Sequence, residues 1–160
     1  MDIVIQPPQG MGQREWLATL WQREWGGDPM VSGLSRYYLS DLIALLALHQ
    51  GRPVGAVTWF AHGMEGEIVS LNALIEDQQI GTRLVGAVED TARRQGVKRL
   101  YLVTTNDNLR ALAFYQKRGY RLHSLDRGAV DRARKTKPTI PLVAENGLPI
   151  HDELVLDKFL

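Results

Sequence analysis

Residues 67–120 decide the fold, with the sequence EIVSLNALIEDQQIGTRLVGAVEDTARRQGVKRLYLVTTNDNLRALAFYQKRGY. The pattern predicts a strand, a tight turn, a helix, a strand, a second helix and the start of a further strand. The turn at 77–82 leads directly from the apolar run 68–75 into the helical pattern. Unpaired backbone amides and the positive end of a helix dipole meet at such a junction, which therefore suits a phosphate group.

The second predicted helix carries two side chains that suit chemistry. It opens about thirty residues after the turn and contains an amide, Asn108, and a phenol, Tyr115. A phosphate cradle together with a positioned phenol suggests a group-transfer enzyme that uses a phosphorylated carrier.

Length and composition limit the alternatives. The chain has 160 residues, of which 44% are hydrophobic and 23% are charged, typical of one soluble globular domain. It has no cysteine, which excludes disulfides, thiolate catalysis and cysteine-ligated zinc. The net charge of +1 is too balanced for a dedicated nucleic-acid surface. The acidic amino terminus lacks the pattern of a signal peptide, and the longest apolar stretch is too short to cross a bilayer. We therefore expect a cytoplasmic enzyme that binds neither nucleic acid nor membrane.

The chain before residue 67 predicts a strand, a helix and the start of an antiparallel meander. The tryptophans and leucines of 13–25 recur at helical spacing, and the pattern stops at Gly26. These aromatic side chains either belong to the core or, at Trp21 or Trp25, line an acceptor pocket. The remaining predicted segments are a strand at 2–5, a loop or short helix at 33–40, and strands at 42–49, 54–62 and 67–75.

The chain after residue 75 predicts alternating helices and strands. Its predicted helices are 80–94 and 106–118, and its predicted strands are 99–104, 120–125 and 151–156. Residues 127–137 are basic and predict an irregular or briefly helical segment. Three prolines prevent regular structure from starting again before about residue 150. The sequence thus predicts one α/β domain, residues 1–160, with a mixed sheet.

The order of these motifs resembles the GCN5-related N-acetyltransferase (GNAT) superfamily. The meander, the apolar strand, the turn and the helix precede Asn-x-x-Ala-x-x-Phe-Tyr-x-x-x-Gly-Tyr at 108–120. The carboxyl-terminal segment KPTIP…NGLPIHDELVL resembles a bacterial subgroup of that superfamily. The resemblance implies a single-domain GNAT fold: an amino-terminal antiparallel meander, splayed central parallel strands and flanking helices.

The resemblance implies that acetyl-CoA is the cosubstrate and that no metal is used. In the family, the motif Gln/Arg-x-x-Gly-x-Gly/Ala holds the pyrophosphate of coenzyme A through backbone amides. Of the six corresponding positions, 76–81, only Gly81 agrees, and Gln79 replaces a glycine. Backbone amides do not depend on the side chain, so the predicted pyrophosphate ligands are Gln79, Ile80, Gly81 and Thr82. Gln79 must then adopt a conformation that glycine adopts freely. We expect the carboxylates of Glu76 and Asp77 to face solvent.

The second motif implies contacts with the rest of the carrier. Asn108 matches the asparagine that contacts the pantetheine arm, although it could instead cap the helix, as could Asn106 or Asp107. Ala111 and Phe114 match the same motif and are predicted carrier contacts. Tyr115 matches the phenol that protonates the leaving thiolate in many members; the alternative is a core aromatic residue.

Direct attack of a neutral amine on the thioester requires a base. Glu67 lies where some family members carry one, and strand alternation would place it on one face with Val69, Leu71 and Ala73. Apolar neighbours would raise the pKa of its carboxyl, although a solvated strand-end residue is equally compatible with this position. The backbone of Leu71, Asn72 and Ala73 is predicted to meet the carrier and to supply an oxyanion donor.

Other polar residues give weaker signals. The four histidines, at 49, 62, 123 and 151, lack the spacing of metal ligands, although His62 and His151 could lie near the acceptor. At most one of Asp152 and Glu153 can face a pocket for a cationic amine, because adjacent strand residues point oppositely. The basic residues of 127–137 form either a solvated face, a site for an acidic acceptor or a site for the 3′-phosphate of coenzyme A.

The sequence therefore predicts an N-acetyltransferase that transfers acetyl from acetyl-CoA, in a ternary complex, to a small-molecule amine or an amino-terminal group. A homodimer through the late strands is left open. The main alternative is a non-catalytic acyl-CoA-binding module of the same fold, which the degenerate turn favours and the Asn108/Tyr115 pair opposes. A nucleic-acid-binding module would require a basic face with exposed aromatic residues.

Overall fold

A computed structural model describes residues 2–32, 35–76 and 78–160. Asp77 and Gly33, on which two of the predictions bear, lie outside these residues. The chain consists of two compact units. Unit 1 comprises Met1–Met30, Tyr37–Leu100 and Leu160; unit 2 comprises Val31–Arg36 and Tyr101–Phe159.

In chain order, the described elements begin with a strand and a helix, continue with five strands, and alternate between helices and strands from residue 80 onward. The strands are β1 (Val4–Gln6), β2 (Met30–Ser32), β3 (Ser35–Tyr37), β4 (Ile43–His49), β5 (Arg52–His62), β6 (Glu65–Ala73), β7 (Arg99–Thr105), β8 (Arg121–Asp126) and β9 (Glu153–Phe159). The helices are α1 (Gly10–Trp25), α2 (Ile80–Arg94), α3 (Leu109–Lys117) and α4 (Ala129–Thr136), with a short 3-10 turn at Leu39–Asp41.

Unit 1 contains the antiparallel meander that the sequence predicts. The strands lie in the order β1, β4, β5, β6, and each neighbouring pair is antiparallel. Leu17 and Leu20 of α1 pack with Leu46, Leu48 and Ala56 in one buried cluster. These contacts cover one face of the sheet with α1.

Helix α2 covers the other face of the same sheet. Gly55 precedes Ala56, and successive strand residues point to opposite faces. A Cβ atom at Gly55 would lie 2.8 Å from Ile80 Cγ2 and 3.3 Å from Leu84 Cδ1. Only glycine therefore permits this close approach of the helix to β5, and the helix start is fixed against the sheet.

Unit 2 contains β7, β9 and β8 in that order, together with α3 and α4. Strands β8 and β9 are antiparallel, with a bulge between Leu122 and Ser124. Between α4 and β9 the described chain has one isolated bridge, Val143 to Pro149, and no regular strand. That agrees with the effect predicted for the prolines.

The predicted α/β class with its amino-terminal meander is confirmed, and the differences are local. Helix α2 has the predicted bounds, and Gly96 beyond it has a left-handed φ of 84°. The segment 33–40, predicted as a loop or short helix, contains β3, whereas 127–137 contains the helix α4 and so follows the helical alternative. Helix α3 starts at Leu109 rather than at 106. None of the described helices is long and apolar enough to span a membrane.

Candidate functional site

The turn before α2 has the backbone conformation that a glycine would adopt. Gln79, the amino-terminal cap of α2, has φ 55° and ψ 24°, in the left-handed region, and its side chain makes no capping hydrogen bond. The Arg83 amide donates to the Gln79 carbonyl at 3.0 Å, and the helix hydrogen-bond series starts there. The amides of Ile80 and Gly81 precede that bond and so have no acceptor within the helix. The predicted strain at Gln79 is thus confirmed; pyrophosphate binding by residues 79–82 stays a prediction.

Replacing Gln79 with glycine is expected to stabilise the protein. Glycine removes left-handed strain of about 1 kcal/mol, which corresponds to a rise in Tm of about 2–4 °C in a chain of this size. Thermal unfolding measured by circular dichroism checks it. Gln78→Gly is the matched control, because Gln78 is not among the described non-glycine residues with positive φ, and it should not raise the Tm. An equal rise in both variants would contradict the account of strain at Gln79.

The predicted neighbours of Glu67 on β6 are wrong. The register between β5 and β6 shifts between Thr58 and Trp59, so Thr58 opposes Ser70 while Phe60 opposes Glu67. Opposed residues share a face in an antiparallel pair. Glu67 therefore lies on one face with Ser70 and Asn72, not with Val69, Leu71 and Ala73. The irregularity inserts an extra residue, which reverses the alternation beyond it.

On this face of β6, Glu67, Ser70 and Asn72 each have a hydrogen-bond partner in unit 1. The Tyr37 hydroxyl donates to Glu67 Oε1 at 3.0 Å, and Thr58 Oγ1 lies 2.5 Å from Ser70 Oγ. Trp25 Nε1 donates to Asn72 Oδ1 at 3.2 Å. The face is a row of ordered polar groups rather than the apolar strip that strict alternation predicts.

Glu67 is a buried carboxylate held in one orientation. It is only 4% exposed, which excludes the solvated strand-end alternative. The Tyr37 ring packs 6.2 Å from the Phe60 ring, and the Phe60 ring lies 5.4 Å from that of His62. The sequence predicts a loop or short helix around Tyr37 and gives no sign of its bond to Glu67. The two residues are 30 positions apart, and no local pattern indicates such a contact.

The two tryptophans at the end of α1 have different surroundings. Trp21 is 3% exposed and belongs to the core. Trp25 is half-buried and bonds to Asn72. Trp21 is therefore a core residue, one of the two alternatives given for these tryptophans. Trp25 contacts Asn72, whose backbone is predicted to contact the carrier.

In unit 2, Asn108 caps helix α3. Its Oδ1 accepts a hydrogen bond from the Ala111 amide at 3.2 Å. Asn106 has a separate function: its Nδ2 donates to the Pro149 carbonyl at 2.9 Å, and its Oδ1 accepts from the amides of His151 and Asp152 at 3.0 Å each. These bonds attach the segment before β9 to the start of α3, and they explain why the helix begins three residues later than predicted.

Tyr115 lies in an aromatic cluster on α3. It is 6% exposed, and its ring packs edge-to-face against Phe114 at 5.0 Å and Tyr120 at 5.4 Å. Burial raises the pKa of Tyr115, and the nearby Arg118 guanidinium opposes that rise only in part. The phenol is therefore protonated at neutral pH. Among the described residues none forms a hydrogen bond with its hydroxyl. Donation of its proton to a ligand stays a prediction.

Phe114 and Ala111, the other carrier residues predicted on α3, are half-buried. One face of the Phe114 ring is covered by the Arg118 guanidinium, whose Cζ lies 3.6 Å from the ring centroid. Desolvation lowers the pKa of Arg118, and Coulombic attraction to Tyr115 opposes that change. Contact of these two residues with a carrier stays a prediction.

The basic residues near α4 are partly used within the protein. Arg134 donates to the carbonyls of Ile140, Pro141 and Ile150 at 2.5–3.1 Å, and Arg132 pairs with Asp126 at 2.5 Å. Arg134 thus stabilises the irregular segment before β9. A phosphate or an acidic acceptor would have to be bound by the other basic residues of this segment.

The histidines of unit 2 lie beside carboxylates. His151 Nδ1 is 3.0 Å from Asp131 Oδ1, and His123 Nδ1 is 3.4 Å from Asp157 Oδ2. The hydrogen bond from His151 lowers the pKa of Asp131, an exposed carboxyl. Within the described ranges, no three histidine or carboxylate side chains cluster as metal ligands.

Comparison with known proteins identifies the family. A model of the acetyltransferase (GNAT) family matches residues 12–120, more than half of the chain. The chain belongs to the GNAT family. The Bacillus subtilis (strain 168) protein YxbD, described as uncharacterized, is 43% identical over 148 residues, which cover 92% of this chain and 93% of YxbD. The resemblance drawn from residues 67–120 is therefore confirmed.

Two solved GNAT structures confirm the fold. A Bacillus subtilis acetyltransferase in complex with CoA has a TM-score of 0.74 at 17% identity, covering 99% of each chain. A GNAT family acetyltransferase from Elizabethkingia anophelis with acetyl-CoA bound has a TM-score of 0.72 at 21% identity, covering 99% of this chain and 98% of the other. At sequence identities this low, the similarity shows a shared fold alone.

Proposed function

We propose that this GNAT chain is an acetyl-CoA-dependent N-acetyltransferase. The observation that carries the proposal is the left-handed Gln79 at the start of α2, followed by the amides of Ile80 and Gly81. A non-glycine residue is held there at a cost in free energy, and such strain is typical of ligand-binding turns. CoA and acetyl-CoA are bound in the two GNAT structures of similar fold, which supports the same carrier here.

In this proposal the carrier is held mainly by backbone groups. The amides of residues 79–82 receive the pyrophosphate, assisted by the dipole of the 15-residue helix α2. The backbone of Leu71, Asn72 and Ala73 follows the pantetheine arm. From unit 2, Asn108 offers its Nδ2 to the arm while its Oδ1 caps the helix, and Ala111 and Phe114 contribute apolar surface.

Transfer proceeds in one displacement on the thioester carbonyl. The acceptor nitrogen forms a bond to the carbonyl carbon and loses a proton to Glu67, directly or through water. A backbone amide of β6 stabilises the oxyanion. The carbon–sulfur bond then breaks, and Tyr115 gives its proton to the leaving thiolate. The products are an N-acetylated amine and the thiol of CoA, and the absence of cysteine excludes a thioester-linked enzyme.

Tyr37 is a positioning residue for the base in this scheme. Its hydroxyl donates to Oε1 of the buried Glu67 carboxylate at 3.0 Å, which fixes the orientation of the group that accepts the proton. The donor is a neutral hydroxyl, so this hydrogen bond adds no positive charge beside the carboxylate.

The acceptor is a small-molecule amine or an amino-terminal group. Isothermal titration calorimetry with acetyl-CoA, followed by an assay of thiol release with a panel of amines and peptides, tests the proposal. Binding at one site per chain together with amine-dependent thiol release is expected. Binding without any release would favour the non-catalytic acyl-CoA-binding module, and no binding would refute both.

We further propose that two copies pair through β8. All six residues of β8 are exposed, and it is the last strand in the order of unit 2. Leu122 opposes Leu156 and Leu125 opposes Leu154, so the bulge brings both exposed leucines to one face. Antiparallel pairing about a two-fold axis would set Leu122 against Leu125 of the partner subunit. The same register would set Arg121 against Asp126 of the partner subunit. Opposite charges would therefore face each other at both ends of the paired strands.

Leu122→Asp is expected to dissociate this dimer, because it buries two carboxylates in the apolar centre of the contact. Sedimentation velocity over a concentration series measures the effect, with a rise in the dimer dissociation constant of at least tenfold expected. Leu142→Asp is the control, since Leu142 is an equally exposed leucine in the loop before β9. A monomeric wild-type protein, or a Leu122→Asp variant that still dimerises, would refute the contact.

A further inference from the structure

Three aromatic rings lie in a row beside Glu67 within unit 1. The Phe60 ring is the central one, and its centroid is 6.2 Å from that of Tyr37 and 5.4 Å from that of His62. The Tyr37 hydroxyl donates to Glu67 Oε1 at 3.0 Å. Phe60 also opposes Glu67 in the antiparallel pair of β5 and β6, so the ring and the carboxylate share a face of the sheet. The row of rings is therefore joined to the proposed base by a hydrogen bond and by strand pairing.

Exposure to solvent increases along this row. Glu67 is buried, Tyr37 and Phe60 are half-buried, and His62 is exposed. His62 opposes Glu65, which is the next position along the same face. The rings thus form a surface that leads from solvent to the buried carboxylate.

Helix α1 packs on the same face of β5, but nearer to the start of the strand. Ala56 of β5 belongs to the buried cluster with Leu17 and Leu20 of α1. Alternation along the strand brings Phe60 and His62 onto that face beyond Ala56, where exposure rises. A partly exposed aromatic surface with one fixed polar group is typical of a site for a small organic ligand.

We propose that the rings of Tyr37, Phe60 and His62 form a subsite for an aromatic ring of the acceptor, whose amine lies at Glu67. Opposed side chains have Cβ atoms about 5 Å apart, a separation that a linker of about two carbons spans between the amine and a ring on Phe60. The acceptor class is therefore an arylethylamine, either free or as the amino-terminal aromatic residue of a peptide. This inference rests on the proposed acetyltransferase function and narrows its substrate.

The arrangement of the rings favours an aromatic occupant over a saturated one. The Phe60 ring is tilted by 45° to that of Tyr37 and by 32° to that of His62. A ligand ring can therefore contact one of them by its edge and another by its face, and both contacts are favourable between aromatic rings beyond the area that they bury. A saturated ring of the same size gains only from the burial of apolar surface.

The test compares phenethylamine with its cyclohexyl analogue. Their dissociation constants are measured by calorimetry in the presence of saturating CoA. The wild-type protein is expected to bind phenethylamine about fivefold or more tightly, although the cyclohexyl compound is the more apolar. Short peptides that begin with phenylalanine or with cyclohexylalanine form the second pair of ligands. A preference for the aromatic member of either pair supports the subsite and shows which of the two sources carries the ring.

Four variants separate the rings from the other features of the site. Phe60→Leu keeps an apolar side chain without the central ring and is expected to abolish the preference. His62→Leu removes an exposed ring, so it tests the subsite even where Phe60→Leu fails to fold, and it is expected to reduce the preference. Tyr37→Phe keeps the ring but loses the hydrogen bond to Glu67, so the preference should remain while kcat falls. Phe159→Leu is the control at a 74% exposed ring of β9 and should keep the preference.

Three results would overturn the proposal: cyclohexyl ligands that bind as tightly as the aromatic ones in both pairs, a preference that survives in Phe60→Leu and His62→Leu, or no binding of either aromatic ligand. Circular dichroism shows whether each variant is folded. Acetyl-CoA binding and thiol release with the wider panel of amines are measured on the same wild-type sample. Release with other amines, without an aromatic preference, would refute the subsite alone, whereas no release with any amine would refute the acetyltransferase function.

Discussion

Replacing Tyr115 with phenylalanine is expected to lower kcat by about 100-fold or more, with little change in the dissociation constant of acetyl-CoA. The substitution removes one hydroxyl from a buried ring and keeps its packing against Phe114 and Tyr120. Without the phenol the thiolate must leave unprotonated, which raises the barrier of the step in which the carbon–sulfur bond breaks. Thiol release at saturating acceptor gives kcat, and calorimetry gives the dissociation constant.

Tyr120→Phe is the matched control for this prediction. Tyr120 is 1% exposed and belongs to the same aromatic cluster, so its loss tests for a general effect of removing a buried hydroxyl. We expect that variant to keep most of the wild-type kcat. Since burial raises the pKa of Tyr115 above the usual value near 10, the wild-type kcat should not fall on the alkaline side below about pH 10. Unchanged turnover in Tyr115→Phe would remove this residue from the mechanism.

Replacing Glu67 with glutamine is expected to lower kcat/KM by about 100-fold. Glutamine keeps the shape and can still accept the hydrogen bond from Tyr37, but it cannot take the proton from the acceptor amine. Steady-state rates of thiol release over a range of acceptor concentrations measure the effect.

Glu65→Gln serves as the control for Glu67→Gln. Glu65 lies two residues away on β6, is partly exposed, and pairs with Arg99. Its replacement should leave kcat/KM close to that of the wild-type protein. If Glu67→Gln kept the wild-type rate, a different group or a water chain would have to serve as the base.

The turn and helix at the start of α2 could be predicted from the sequence because their determinants are local. Five apolar residues at helical spacing define the α2 face, and the predicted bounds 80–94 agree with the structure. The left-handed conformation of Gln79 followed from its position in the motif. Both inferences need only residues within a few turns of each other.

The face of β6 could not be predicted, because it depends on pairing with another strand. The register shift at Thr58 and Trp59 places Glu67 with Ser70 and Asn72, and no residue pattern within β6 indicates that irregularity. The prediction of Glu67 as a site residue therefore rested on the family resemblance, and its predicted surroundings were wrong.

Contacts between segments far apart in the chain could not be predicted from the sequence either. Ser32 and Glu153 are joined across 121 positions, and Tyr37 and Glu67 across 30. Each pair unites one residue of the chain before β4 with a strand residue. Tyr37 lies in the segment 33–40, which was predicted as a loop or short helix, and Ser32 directly precedes that segment. No local pattern there indicated contacts with two buried carboxylates.

The most direct test of the central claim is a titration of ¹⁵N-labelled protein with acetyl-CoA. Nuclear magnetic resonance measures the change in the chemical shift of each backbone amide. This measurement needs no knowledge of the acceptor. The account predicts saturable binding, with the largest amide shifts at Gln79, Ile80 and Gly81 and further shifts at the start of α3 around Asn108. Saturable binding that leaves the amides of residues 79–82 unshifted, or no binding at all, would contradict it.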